Sequence, residues 1–159
     1  MEMIGEHQIP AKRHEVWKAL NNPDILKECI PGCTELEAIN AQHLKATVAL
    51  KVGPVSAKFK GEVELSDIIE PISYRISGEG KGGVAGFAKG GASVILEENA
   101  DGTVLRYNVD AKIGGKLAQL GSRLIDSTSK KLAGKFFENF VKTFEKNEEK
   151  IKIIIKKDK

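Results

Sequence analysis

The sequence contains few of the residues that build covalent or metal-bound frameworks. Its 159 residues include two cysteines and three histidines, too few for a disulfide framework or for a structural metal site. No apolar run approaches the roughly 18 residues that a membrane-spanning helix needs. The first residues also lack the basic-then-apolar order of a signal peptide. We therefore expect a cytoplasmic globular protein.

Basic charge is also scarce outside one segment. The net charge is +3, and residues 150–159 hold five lysines against one aspartate, so residues 1–149 are slightly acidic. Six Phe, two Tyr and one Trp offer few rings for stacking bases. Both observations argue against nucleic-acid binding. The lysines of this basic C-terminal tail are Lys150, Lys152, Lys156, Lys157 and Lys159.

The length suits one domain, which we assign to residues 1–149 with residues 150–159 as the tail. An extended segment, Glu2–Ile9, precedes two short helical segments, which begin at His14 and Pro23. A turn at Ile30–Cys33 ends this part. Alternating apolar and polar residues then predict antiparallel strands at Leu44–Val52, Ala57–Leu65, Tyr74–Ser77, Ala92–Glu97 and Thr103–Lys112.

After Gly114 and Gly115 the apolar period becomes helical and stays so to about Lys150. We predict an α+β helix-grip fold, in which a curved antiparallel sheet wraps around this long C-terminal helix. A strongly curved sheet and a straight helix cannot touch everywhere. We therefore expect an apolar cavity between them, which is a common kind of ligand site.

Gly78–Gly83 matches the GxGxxG pattern of dinucleotide sites. The helix that must open after these glycines is missing, because the next residues lead into Gly90 and another strand. The better interpretation is a mobile hairpin connection with Phe87 at its centre. It is either a plain structural loop or a lid over the cavity mouth.

Catalytic and metal-binding patterns are weak. Cys29 and Cys33 have neither redox nor zinc spacing, and the three histidines lie on separate elements. Ser122 falls inside a helix rather than on a strand-to-helix turn. Glu62 and Glu64 face the wet side of their strand, where they balance neighbouring lysines. We expect no catalytic residue, no metal site and no bound cofactor.

Three segments in this order resemble the family of the carbon monoxide dehydrogenase G subunit, within the START and birch-pollen-allergen type helix-grip superfamily. They are CIPGC at residues 29–33, VGPVSAKFKG at residues 52–61 and GKLAQLGSRLI at residues 115–125. The resemblance spans essentially the whole chain. It implies about seven strands around the long helix and a hydrophobic cavity.

The resemblance also implies a function. It predicts an accessory protein, rather than an enzyme, that assists molybdenum hydroxylases and handles an apolar ligand such as a quinone or lipid near the membrane. Some members carry a longer C-terminal extension that could reach a membrane. In this chain the corresponding contact would be weak and peripheral at the inner face, through the tail lysines and nearby isoleucines.

Large residues at inward positions are the predicted ligand contacts. They are Phe59, Val63, Tyr74, Ile76, Leu105, Tyr107, Leu120, Leu124, Phe136 and Phe140, with Trp17 and Phe87 near the entrance. Two other hypotheses stay open: a cyclase or hydrolase using polar groups in the same cavity, and an assembly factor recognised by its surface, for which the glycine-rich loop and the basic tail would matter more than the cavity. Oxidoreductase subunits are the expected protein partners.

Overall fold

The computed structural model describes residues 1–157, apart from the side chains at 147–151 and 157. The strands are β1 (Glu2–Ile9), β2 (Cys33–Asn40), β3 (His43–Val52), β4 (Val55–Ile69), β5 (Ser73–Lys81), β6 (Phe87–Asn99) and β7 (Gly102–Gly114). The helices are α1 (Arg13–Leu20), α2 (Pro23–Cys29), α3 (Lys116–Gln119) and α4 (Ser122–Lys157), with a 3-10 turn at Gly83–Ala85.

The seven strands form one antiparallel sheet in the order β1-β7-β6-β5-β4-β3-β2. Strands β2 to β7 are sequential neighbours, as short connections favour, and β1 adds to the free edge of β7. Helix α4 packs against the inner face of the sheet and against α2. The predicted α+β helix-grip fold is confirmed.

The C-terminal helix differs from the predicted single helix. Gly121 has a φ of +89°, which is incompatible with a continuous right-handed helix, so the short α3 ends before α4 begins at Ser122. Helix α4 then continues to Lys157, about two turns beyond the predicted end. Most of the predicted tail is therefore helical, and Lys159 lies outside the described residues.

The glycine-rich segment is paired strand rather than a mobile loop. Gly78 pairs with Gly90, Gly80 pairs with Ala88, and residues 82–86 alone connect β5 to β6. A Cβ at Gly78 would lie 2.5 Å from the carbonyl oxygen of Glu62, a contact that would force the chain to shift. Glycine here allows close main-chain approach within the sheet.

Two packed clusters hold the inner face of the sheet. The larger joins α1, α2 and the second half of α4 to β1 and β5–β7, and its fully buried side chains include Ile9, Val16, Leu96, Leu105 and Phe140. The smaller cluster consists of Val52, Phe59, Ala85 and Leu117. Burying each large aliphatic or aromatic side chain contributes about 1.5 to 3 kcal/mol, so the larger cluster dominates stability.

Candidate functional site

A cavity of about 480 Å³ lies on the inner face of the sheet, between the larger and the smaller cluster. Its floor is formed by small residues at successive inward positions of three neighbouring strands. They are Gly78 and Gly80 on β5, Ala88, Gly90 and Ala92 on β6, and Ala111 on β7. Because these residues carry little or no side chain, the space under the helix is left open.

The register of the strands brings these small residues side by side. Gly61 pairs with Gly80, which pairs with Ala88, and Gly78 pairs with Gly90, which pairs with Ala111. Directly paired residues point to the same face of a sheet. A Cβ built on Gly80 meets no atom within 4 Å, which shows that this position faces open space.

The other walls are mainly aliphatic. Helix α3 contributes Leu117, and the first turns of α4 contribute Ile125, Thr128 and Leu132 at helical spacing. Alternate residues of β3 complete the lining with Leu44, Ala46, Val48, Leu50 and Val52. Such a surface favours an apolar ligand, because apolar area leaves water when the cavity is filled.

Polar groups on the wall are few. The hydroxyl of Ser129 donates a hydrogen bond to Sδ of Met1 at 3.2 Å, and the hydroxyl of Thr128 makes no hydrogen bond to another described residue. The charged residues that border the cavity, Glu79 and Lys89, are paired with each other at outward positions of β5 and β6. A carboxylate inside would therefore have no cation beside it, which is costly in an apolar site.

Three of the twelve predicted contacts line the cavity: Phe59, Val63 and Ile76. Phe59 is 9% exposed and also belongs to the smaller cluster, where its ring lies against Gly82. Val63 and Ile76 occupy adjacent strands at the end of the glycine floor. Contact between these three side chains and a ligand remains a prediction.

Six other predicted contacts lie in or against the larger cluster and do not line the cavity. They are Trp17, Tyr74, Leu105, Tyr107, Phe136 and Phe140. Trp17 meets Tyr74 edge to face with ring centroids 5.2 Å apart, so it is a buried core residue and does not line the cavity. Large rings fill the space between helix and sheet, and for that reason they mark the part without a cavity.

The remaining three predicted contacts also lie elsewhere. Leu120 and Leu124 pack against the smaller cluster, which closes one end of the fold. Phe87 begins β6 at an outward position and its ring covers Gly114. Phe87 therefore faces away from the cavity, and the lid, one of the two interpretations left open, has no support at this residue in the described structure.

The sequence did not point to the residues of the floor, because only large side chains at inward positions were predicted as ligand contacts. A usable signal was present, since β6 carries Ala88, Gly90 and Ala92 at alternate positions. A strand with small residues on its inward face cannot fill the space beside it. Glycines that look like a loop in the sequence therefore mark the cavity.

Titratable groups near the inner face point to structure rather than chemistry. His7 stacks on Phe137 with ring centroids 3.9 Å apart, and burial lowers the pKa of its imidazole. Cys29 is buried with Sγ 3.8 Å from Oγ1 of Thr143, and burial raises the pKa of its thiol, which disfavours reactivity. Across the described residues, no three His, Cys, Asp or Glu side chains are grouped to hold a metal ion.

A larger recess of about 780 Å³ lies on the outer face of the sheet over β2–β5. Its walls carry charges of both signs, among them Lys60, Lys81, Glu35 and Glu62. Glu62 accepts from Lys45 at 3.4 Å and lies 3.3 Å from His43, and these partners lower the pKa of its carboxyl. An apolar ligand would strip water from these charges, so the inner cavity is the candidate site.

No helix within the described part of the chain has an apolar stretch long enough to cross a membrane. No curated protein matches the chain. Among solved structures, a conserved protein from Geobacillus kaustophilus is 32% identical, with 92% of this chain and 96% of that chain covered and a TM-score of 0.86.

More distant structures share the fold alone. A protein from Rhizobium leguminosarum is 15% identical, with coverage of 92% and 95% and a TM-score of 0.70. The protein CV1439 from Chromobacterium violaceum is 10% identical, with coverage of 90% and 96% and a TM-score of 0.69. The family model for the carbon monoxide dehydrogenase G subunit, CoxG, matches residues 5–156. The chain therefore belongs to the family of the carbon monoxide dehydrogenase G subunit, CoxG.

Proposed function

We propose that this protein is an accessory factor that binds an apolar small molecule, a quinone or a lipid, in the inner cavity. It would assist a molybdenum hydroxylase of the carbon monoxide dehydrogenase type at or near the membrane. The observation that carries the proposal is the apolar cavity of about 480 Å³ between sheet and helix. Family membership supports the accessory role.

The shape and chemistry of the cavity favour a neutral ligand with a flat or extended apolar part. Its floor is main chain at Gly78, Gly80 and Gly90, which offers a flat surface for such a group. The one hydroxyl without a partner among the described residues of the wall, that of Thr128, is suited to donate to a ligand oxygen. An enzyme using this cavity would need an acid or base on the wall, and the inward side chains supply hydroxyls instead.

The first test is native mass spectrometry of the purified protein, followed by organic extraction and identification of any released molecule. A bound quinone or neutral lipid supports the proposal. Empty protein is then challenged with menaquinone, a fatty alcohol and the matching fatty acid. Uptake of none of the three would contradict the proposal and favour recognition by the protein surface.

A cavity-filling variant makes the test specific. Gly80→Leu places a side chain in open space and should weaken ligand uptake by about ten-fold or more, because ligand and side chain compete for the same volume. Gly134→Leu is the matched control, since a Cβ at this exposed helical position also meets no atom within 4 Å. Equal uptake by both variants would place the ligand elsewhere.

The predicted membrane contact of the C-terminal lysines belongs to the same proposal. Lys152 and Lys156 lie one turn apart on the last part of α4, and both are exposed. Ile153, Ile154 and Ile155 between them are 53–59% exposed. This segment therefore presents apolar and basic side chains together, as peripheral membrane contacts do.

A further inference from the structure

The charges on the outer face of the sheet are segregated, although residues 1–149 are nearly neutral overall. Strand pairing places outward residues in rows that cross the sheet. One row joins Lys112, Lys89, Glu79, Glu62 and Lys45. The next row, toward the β3–β4 turn, joins Lys81 to Lys60.

The half of the outer face that backs the cavity is basic. From the row of Lys45 to the β3–β4 turn, its outward positions hold seven lysines against Glu35, Glu37, Glu62 and Glu79. The other half is acidic, with Glu2, Glu6, Glu64, Glu97 and Asp110 against Arg75 and Arg106. The two halves cancel in the net charge and are therefore hidden in the composition.

Six lysines of the basic half form no ion pair with a described residue and are exposed. We call them the lysine face: Lys51, Lys58, Lys60, Lys81, Lys89 and Lys112. Lys60 lies directly opposite Lys81, an arrangement that destabilises a sheet unless an external anion screens it. In the acidic half, by contrast, Arg106 forms ion pairs with Glu6 and Glu97.

An apolar residue projects beside the lysine face. Val84 is 83% exposed in the turn at residues 82–86, between Lys81 and Lys89. An exposed apolar side chain flanked by unpaired lysines is the combination that inserts into an anionic lipid surface while the lysines contact the headgroups.

From these observations we infer that the lysine face docks on an anionic lipid surface. Every cation at the outward positions of this half is a lysine. Protein interfaces are enriched in arginine and large aromatic residues and depleted in lysine, so the composition favours lipid over an acidic protein. The docked orientation directs the end of the fold with Val84 and the β3–β4 turn toward the lipid.

This inference is independent of the cavity ligand, because empty protein would dock equally well. It also differs from contact through the C-terminal part of α4. Sedimentation with phosphatidylcholine vesicles, with or without phosphatidylglycerol, tests it on the full chain. The protein should sediment with the mixed vesicles, stay free of the neutral ones and dissociate as salt rises.

The variant Lys58→Glu/Lys60→Glu/Lys81→Glu should lower the affinity for the mixed vesicles by about a hundred-fold. Each lysine near an anionic surface raises the affinity by about five-fold, and three are lost. The control Lys18→Glu/Lys130→Glu/Lys131→Glu changes three other exposed lysines and the net charge equally, and it should bind like the wild type. Lys58→Gln/Lys60→Gln/Lys81→Gln repeats the test without added negative charge if the first variant fails to fold.

Three outcomes would overturn the inference. The first is wild-type binding by the Lys58, Lys60 and Lys81 variants. The second is loss of binding in Lys152→Glu/Lys156→Glu alone, which would assign the contact to the end of α4. The third is retention on immobilised poly-glutamate without vesicle binding, which would assign the lysine face to an acidic protein.

Discussion

The space between sheet and helix has one end that is filled by the larger cluster and another that contains the cavity and the smaller cluster. These two ends differ in side-chain volume rather than in backbone. Along β6 the inward residues change from Ala88, Gly90 and Ala92 to Val94 and Leu96. On β5 they change from Gly80 and Gly78 to Ile76 and Tyr74, against the chain direction. On β7 they change in the same way, from Ala111 and Val109 to Tyr107 and Leu105. Antiparallel pairing aligns the three changes.

The helix repeats the difference. Its early turns present Ile125, Thr128 and Leu132 to the sheet, whereas its later turns present Phe136, Phe137 and Phe140. Phe137 stacks with Tyr107, and Phe140 is fully buried. One end is thus a dense core that stabilises the fold, and the other contains an open cavity. Such a cavity is unusual, because protein interiors are normally packed as densely as organic crystals.

The largest effect should come from emptying the dense end. Phe140→Ala should lower the free energy of unfolding by about 3 to 5 kcal/mol, because a fully buried ring is replaced by a void. Leu132→Ala, on the cavity wall, should cost only about 1 to 2 kcal/mol, since this side chain already borders open space. Urea unfolding measures both, and equal losses would contradict the distinction between the ends.

Tyr107→Ala tests the border between the ends. The ring stacks with Phe137 and His7 and lies outside the cavity lining, so the variant should lose about 2 to 3 kcal/mol of stability. Ligand uptake should stay unchanged. Reduced uptake with unaltered unfolding would instead make Tyr107 a ligand contact.

Two glycines of the cavity floor should respond differently to the same added methyl group. A Cβ on Gly90 would fall onto the carbonyl oxygen of Asp110, so Gly90→Ala should destabilise the protein by about 1 to 2 kcal/mol. Gly80→Ala adds its methyl to open space and should change stability by less than about 0.5 kcal/mol. Matching melting temperatures for the two variants would refute this difference.

The smallest expected effect is a pH dependence from His7. Burial lowers the pKa of His7 below its ordinary value of 6.5, so the unfolded chain binds a proton at pH values where the folded chain does not. Stability from this residue is complete above pH 6.5 and is lost as the pH falls toward the lowered pKa. The pKa values of Glu62 and Glu138 lie below 4.5, so both stay charged in this window.

His7→Phe should keep the stacking and reduce the decrease in melting temperature between about pH 7.5 and 5.5. Thermal unfolding of the wild type and the variant at the two pH values measures this decrease in melting temperature. An unchanged decrease would show that His7 is not the group responsible.

Much of the fold was predictable because the inward and outward residues of the long strands alternate regularly. The facing assigned to β4, with Phe59 and Val63 inward and Glu62 outward, is confirmed. The helix break at Gly121 was not predicted, since apolar spacing continues across it and only the backbone conformation reveals the interruption. The glycines of β5 and β6 were misassigned because the same residues serve both turns and closely packed strands.

The sequence by itself determined the class of fold, the burial of one helix against one sheet, and the family, since all three depend on periodicity and short motifs along the chain. Tertiary structure alone decided where the cavity lies and where charge accumulates. Both depend on which residues of different strands lie side by side, as Gly61 does with Gly80 and Lys60 with Lys81. Register is set by the packing of the whole sheet. The position of the cavity and the accumulation of charge depend on several neighbouring strands, so neither can be read from the sequence of a single strand.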